Sequence, residues 1–104
     1  MVIFSVIIHN ENIVEDVMHV VLKNKYAKTV QLDREVKNYY DKNNELDIEQ
    51  TTKLSFITKA LLYKEIETVL FEKFGEENLI VYAVPVGQMN EKYTSELRNY
   101  IKAI

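Results

Sequence analysis

The stretch that most constrains this chain is Asn78–Tyr93, NLIVYAVPVGQMNEKY, where an unbroken apolar strand runs into the only proline and then into a turn. From Leu79 to Val86 every residue except Pro85 is apolar or tyrosine, so neither face of this strand is written for water. Beyond it, Asn90 is an N-cap candidate, and Tyr93, Leu97, Tyr100, Ile101 and Ile104 recur at helical spacing. A chain of this kind must bury a strand on two sides and pack a helix behind it.

A length of 104 residues fits a single domain, 1–104, that can bury a real core without metal or disulfide staples. Cysteine is absent, which excludes disulfides, thiolate zinc sites, iron–sulfur clusters and cysteine nucleophiles, and fits a reducing compartment. The formal charge of −3 is concentrated: residues 41–52 carry one basic and four acidic side chains, while the rest of the chain balances. Without a basic face, binding to nucleic acid or to an anionic membrane surface is not expected. The run Val2–Ile8 has no preceding positive charge and no cleavage site after it, so it reads as a strand and not as a signal peptide. No apolar run approaches the ~20 residues of a membrane span. The expected location is cytoplasmic.

Taken in order, Val2–Ile8 is β-branched and apolar on both faces, as a central strand under helices requires. Asn10 or Asn12 can cap a helix over Ile13–Lys25, whose apolar positions Ile13, Val14, Val17, Val20 and Val21 fall at steps of three and four. Tyr26–Tyr40 alternates in its first half and reads as a strand with one wet face. Asp41–Thr51 reads as a polar connection, and Lys53–Thr58 as a third strand that forms a hairpin with the second. Ala60–Phe74 is an amphipathic helix, with Gly75 closing it in the left-handed region. The last strand and a helix from Glu91 complete an order of β-α-β-β-α-β-α.

Two βαβ units in this order predict an α+β, ferredoxin-like βαββαβ sandwich with an antiparallel sheet and a C-terminal helix. In that plan the fourth strand lies at an edge, yet here it is the most apolar. An open hydrophobic edge invites pairing, so the C-terminal helix or another copy of the chain is expected to cover it.

Three segments, Lys25–Leu32, Ile57–Ala60 and Pro85–Tyr93, resemble stretches of the CutA family of divalent-cation tolerance proteins, which share their fold with the PII signalling proteins and form trimers. The segment from Pro85-Val86 to Tyr93 has the family's spacing of proline, aliphatic, glycine position and tyrosine, with Met89 where the glycine falls. Ile57-Thr58-Lys59-Ala60 resembles its strand ending in Ile-Lys-Thr, and Lys25-Tyr26-Ala27-Lys28-Thr29-Val30-Gln31-Leu32 resembles its segment after the first helix. Thr29 replaces the family cysteine, Phe74-Gly75-Glu76 stands where the family has His-Pro-Tyr, and tryptophan is absent. A copper site built on that cysteine or histidine is therefore excluded. The resemblance implies a small homotrimer linked to divalent-cation tolerance or response. A PII-like regulator that binds a small ligand between subunits is the alternative. In either case Tyr39, Lys59 and Tyr93 are implied to line the intersubunit cleft.

The chemistry-bearing residues are few. Asp41, Asn43, Glu45, Asp47 and Glu49 alternate like the ligands of a calcium loop, and Asp41, Glu45 and Asp47 are its metal candidates. Leu46 takes the place of the turn glycine and Thr52 that of the closing acid, so the segment reads foremost as a solvated hairpin loop with at most weak affinity for a hard divalent cation. No cofactor is expected. His9 and His19 have only Glu11 and Asp16 as near neighbours in sequence and read as surface or structural histidines. Phe4 and Phe56 on adjacent strands imitate an RNA-recognition sheet without its basic motif and read as core. The seven tyrosines suit half-buried interface positions. Two glycines leave no phosphate-cradling loop, and Arg34 and Arg98 lie outside glycine-rich segments, so catalysis is not expected.

Overall fold

The structure, a computed structural model, describes residues 1–104. Strand β1 (Val2–Ile8) leads through a single 3-10 turn at Glu11–Ile13 into helix α1 (Val14–Lys23). Strands β2 (Gln31–Lys42) and β3 (Glu45–Thr58) form a long hairpin, and a 3-10 turn at Ala60–Leu62 opens helix α2 (Tyr63–Phe74). Strand β4 (Leu79–Pro85) and helix α3 (Glu91–Tyr100) follow. The sheet order is β2-β3-β1-β4, with β1 antiparallel to both β3 and β4 and β2 antiparallel to β3. This is the expected α+β ferredoxin-like plan.

The two faces of the sheet are chemically different. Under α1 and α2 lie Phe4, Val6, Ile8, Leu54, Phe56 and Leu79, packed against Val14, Val17, Val21, Ile66 and Leu70. Phe4 and Phe56 are register partners whose rings stack with centroids 5.1 Å apart. The opposite face carries the rows Ile57-Ile3-Val84, Ser55-Ser5-Tyr82 and Lys53-Ile7-Ile80 across β3, β1 and β4. Of these, Ile80, Tyr82 and Val84 remain 52%, 40% and 49% exposed. The final helix therefore does not cover the outward side of β4.

Helix α3 crosses the end of the sheet at which β1 begins and β3 finishes. Leu97 and Ile101 join the core, while the Lys102 amide donates to the Lys25 carbonyl at 2.8 Å and the Lys59 ammonium donates to the Ile101 and Lys102 carbonyls, each at 3.1 Å. Asn90 precedes the helix as expected, but its side chain makes no capping bond; its carbonyl accepts from the Thr94 amide and hydroxyl.

Three local expectations are corrected. Asp41–Thr51 is not a polar connection but paired strand on either side of a two-residue turn at Asn43-Asn44. Both asparagines have positive φ, 54° and 66°, the conformation of a type I′ hairpin turn that matches the strand twist. The second strand begins at Gln31, not Tyr26, because α1 ends in a Schellman motif: the Tyr26 amide donates to the Val21 carbonyl and the Lys25 amide to the Leu22 carbonyl, with Lys25 left-handed at φ 58°. Tyr26 and Ala27 are thereby folded into the core. Gly75 does end α2 with positive φ, 87°, but its ψ of 132° lies outside the left-handed helical basin.

Candidate functional site

Beyond the three-stranded overlap, the hairpin stands alone. β1 pairs with β3 only from Thr52 to Thr58, so Val36–Lys42 and Glu45–Thr51 form a ribbon with no third strand. A bulge launches it: Asp33 pairs with Lys53 and Val36 with Thr51, leaving Arg34 and Glu35 opposite the single Thr52. The bulge turns Arg34 toward α1, where its guanidinium binds Glu11 and, at 2.6 Å, Glu15. The buried Thr52 hydroxyl donates to the other oxygen of Glu11 at 2.5 Å. Those donors, Thr52 first and Arg34 after it, hold the Glu11 carboxyl below the usual carboxylate range against a smaller opposing effect of burial.

Along the ribbon the acidic candidates separate. Asp41 pairs with Leu46, whereas Glu45 pairs with Lys42 and Asp47 with Tyr40, which puts Asp41 on the opposite face from Glu45 and Asp47. Asp47 is engaged by the Tyr40 hydroxyl at 3.2 Å and the Ile48 amide at 2.8 Å. The Tyr40 hydroxyl is correspondingly harder to ionise, chiefly through that bond. No three His, Asp or Glu side chains converge into a group that could hold a metal ion. The every-second-residue spacing is that of a strand: it strings Glu45, Asp47 and Glu49 out along one face, and the two-residue turn puts Asp41 on the other, so the acids do not converge as a calcium loop's do.

The three cleft residues also occupy separate places. Tyr39 lies on the ribbon, 63% exposed and paired with Ile48. Lys59 follows the last residue of β3, so roughly 33 Å of strand separates it from Tyr39 at about 3.3 Å per residue. Tyr93, half-buried on α3, lines a hollow of about 250 Å³ with Ile3, Gln31, Ser55 and Ile57. Lys59 lines a different hollow, of about 230 Å³, with Met1, Leu61 and Arg98. A single chain does not bring all three together.

His9 finds its partner far away in sequence: its Nδ1 is 2.5 Å from Glu49 Oε1 on the ribbon, not beside Glu11. His19 lies exposed on α1. Sequence reading missed the Arg34 network altogether, since a bulge leaves no composition signal. It also missed Tyr26, whose hydroxyl donates to Glu65 at 2.8 Å while Lys102 binds the same carboxylate oxygen at 2.5 Å. Burial first, and then that neighbouring carboxylate, push the Tyr26 hydroxyl up to about 12.

Fold and site together define a ferredoxin-like α+β protein with an open apolar sheet face and a projecting two-stranded arm. The family model described as CutA1 divalent ion tolerance protein matches residues 2–99, and the chain belongs to that family. Among solved structures, CutA1 from Pyrococcus horikoshii is 19% identical and superposes with a TM-score of 0.83 over 99% of this chain and 100% of that one. CutA1 from Oryza sativa is 17% identical, with a TM-score of 0.84 over 97% of this chain and 93% of that one. The periplasmic divalent cation tolerance protein CutA from Archaeoglobus fulgidus is 13% identical, with a TM-score of 0.81 over 98% and 100%. No curated protein matches the sequence. No helix is long and apolar enough to cross a membrane.

Proposed function

We propose that this chain is a small, non-enzymatic, cytoplasmic homotrimer that serves in divalent-cation tolerance or response. The observation that carries the assembly is the ribbon. A two-stranded hairpin with no third strand is marginal in water, yet this one exposes Tyr39, Leu46 and Ile48. It also stretches the molecule to 48 × 29 × 21 Å, with a radius of gyration of 14.9 Å against the roughly 13 Å of a compact chain this long. The outward side of β4 is the matching surface: a free strand edge beside the exposed Ile80, Tyr82 and Val84. Ribbon on edge, repeated around a threefold axis, removes both liabilities in a closed ring.

Such a ring brings Tyr39 of one chain toward Lys59 and Tyr93 of another and makes an intersubunit cleft the place for a small ligand. The cation role is supported by the family membership; the sequence's own acids do not build a site within one chain. Growth of a strain lacking the protein, challenged with graded copper, zinc and cobalt salts, tests it. Restored tolerance on re-expression is expected, and indifference to all three metals would remove the cation role. The PII-like reading is favoured instead if nucleotides, and not divalent ions, raise the unfolding temperature of the purified protein.

A further inference from the structure

On helix α3 the apolar stripe Tyr93, Leu97, Ile101 is matched on another side by Asn90, Thr94 and Arg98, each again four residues apart. Those three line an open hollow of about 670 Å³, bordered by the Val86–Met89 segment and Met1. It is a shallow groove open to solvent, and Arg98 is exposed along it. Arg98 also borders the neighbouring hollow that contains Lys59. No Asp or Glu lines either space, although acidic side chains outnumber basic ones in this chain, 16 to 13.

The two arginines contrast. Arg34 is engaged by two glutamates, and Arg98 is engaged by none. A guanidinium presents a fixed fork of donors suited to a planar or tetrahedral oxyanion, and the Gln88 and Asn90 amides beside it can hydrogen-bond the body of a polar ligand. Lys59 adds a second positive charge next door, its ammonium donating to the carbonyls of Ile101 and Lys102.

We propose that Arg98, with the Val86–Asn90 loop, binds a small anionic ligand through its carboxylate or phosphate head. The site is formed within one chain, so it stands or falls apart from the trimer and from the cation role. Isothermal titration of the wild-type protein with inorganic phosphate and with succinate tests it. Saturable binding of phosphate alone assigns a phosphate head, and of succinate alone a carboxylate head. Arg98→Gln should weaken the binding at least about tenfold, as expected for loss of a charge-assisted contact. Gly87 has nothing within 4 Å of a built Cβ and an unstrained φ, so Gly87→Asp should fold and, by placing a carboxylate in the hollow, weaken binding comparably without touching Arg98. Lys37→Gln, on the ribbon, should leave it unchanged. No saturable binding of either probe, or binding by Arg98→Gln equal to wild type, would overturn the proposal.

Discussion

The Tyr26 hydroxyl donates to Glu65 across 2.8 Å and joins the end of the α1 turn to helix α2, with Lys102 of the C-terminal segment on the same oxygen. Three distant pieces of chain meet there. Tyr26 is 2% exposed, and its hydroxyl is raised from the ordinary 10 to about 12, by burial first and by Glu65 second. A tyrosine raised in the folded state contributes stability that is whole below pH 10 and is lost as the pH climbs from 10 to 12, roughly 2–3 kcal/mol for two units. Urea unfolding across that window should show the fall in wild type and a flatter profile in Tyr26→Phe. Tyr26→Phe should also cost about 1 kcal/mol at neutral pH.

At the other end of the molecule the sign reverses. Glu11 is held below the usual carboxylate range, mainly by the Thr52 hydroxyl, so its contribution is present above pH 4.5 and is lost as the pH falls through its folded value. Thr52→Val keeps the shape and removes the donor. Carboxyl titration by NMR should then find Glu11 closer to its ordinary value, and the acid limb of the stability profile should be shallower. An unmoved Glu11 would mean that Arg34 alone sets it.

The Phe4 and Phe56 rings, stacked under Tyr63, fill the middle of the core. Phe4 is fully buried. Phe4→Ala should destabilise the fold by about 3–5 kcal/mol in chemical denaturation, the range for a large aromatic replaced by a methyl. A cost below about 1 kcal/mol would contradict the packing described.

The hairpin turn offers a change in the opposite direction. Asn44 sits at φ 66°, where an L side chain is strained and glycine is not. Asn44→Gly should raise stability by about 0.5 kcal/mol and Asn44→Val should lower it by more, read as shifts in the thermal midpoint. Equal midpoints for both would argue against a type I′ turn.

These positions also show what the sequence could and could not disclose. β1 and α1, and β4 with the helices flanking it, were legible because their hydrophobic periods are strong and local. The sheet order followed from the βαβ plan and from the apolar character of Val2–Ile8. The ribbon was hidden because strand residues that pack on no core need no apolar alternation, so DKNNELDIEQT passes for a loop. Its turn lacks glycine, and so does the Schellman motif at Lys25, which moved the start of β2 by five residues.

The candidate site was less legible than the fold. Asp41, Glu45 and Asp47 share a spacing but not a face, and only the cross-strand register reveals it. Tyr39 and Lys59 were joined by resemblance, and one chain holds them far apart. The partners His9–Glu49 and Arg34–Glu11 are fixed by the pairing of β3 and by a bulge, neither of which is written in local composition.

The ribbon and the open edge of β4 make one demand on the solution state. Light scattering on a gel-filtration column over a wide concentration range measures it directly. The expected result is a mass three times the chain's 12.3 kDa that does not change on dilution, and a smaller mass for Ile80→Glu. A wild-type mass of one chain at every concentration would contradict the trimer and leave the projecting ribbon without a physical reason.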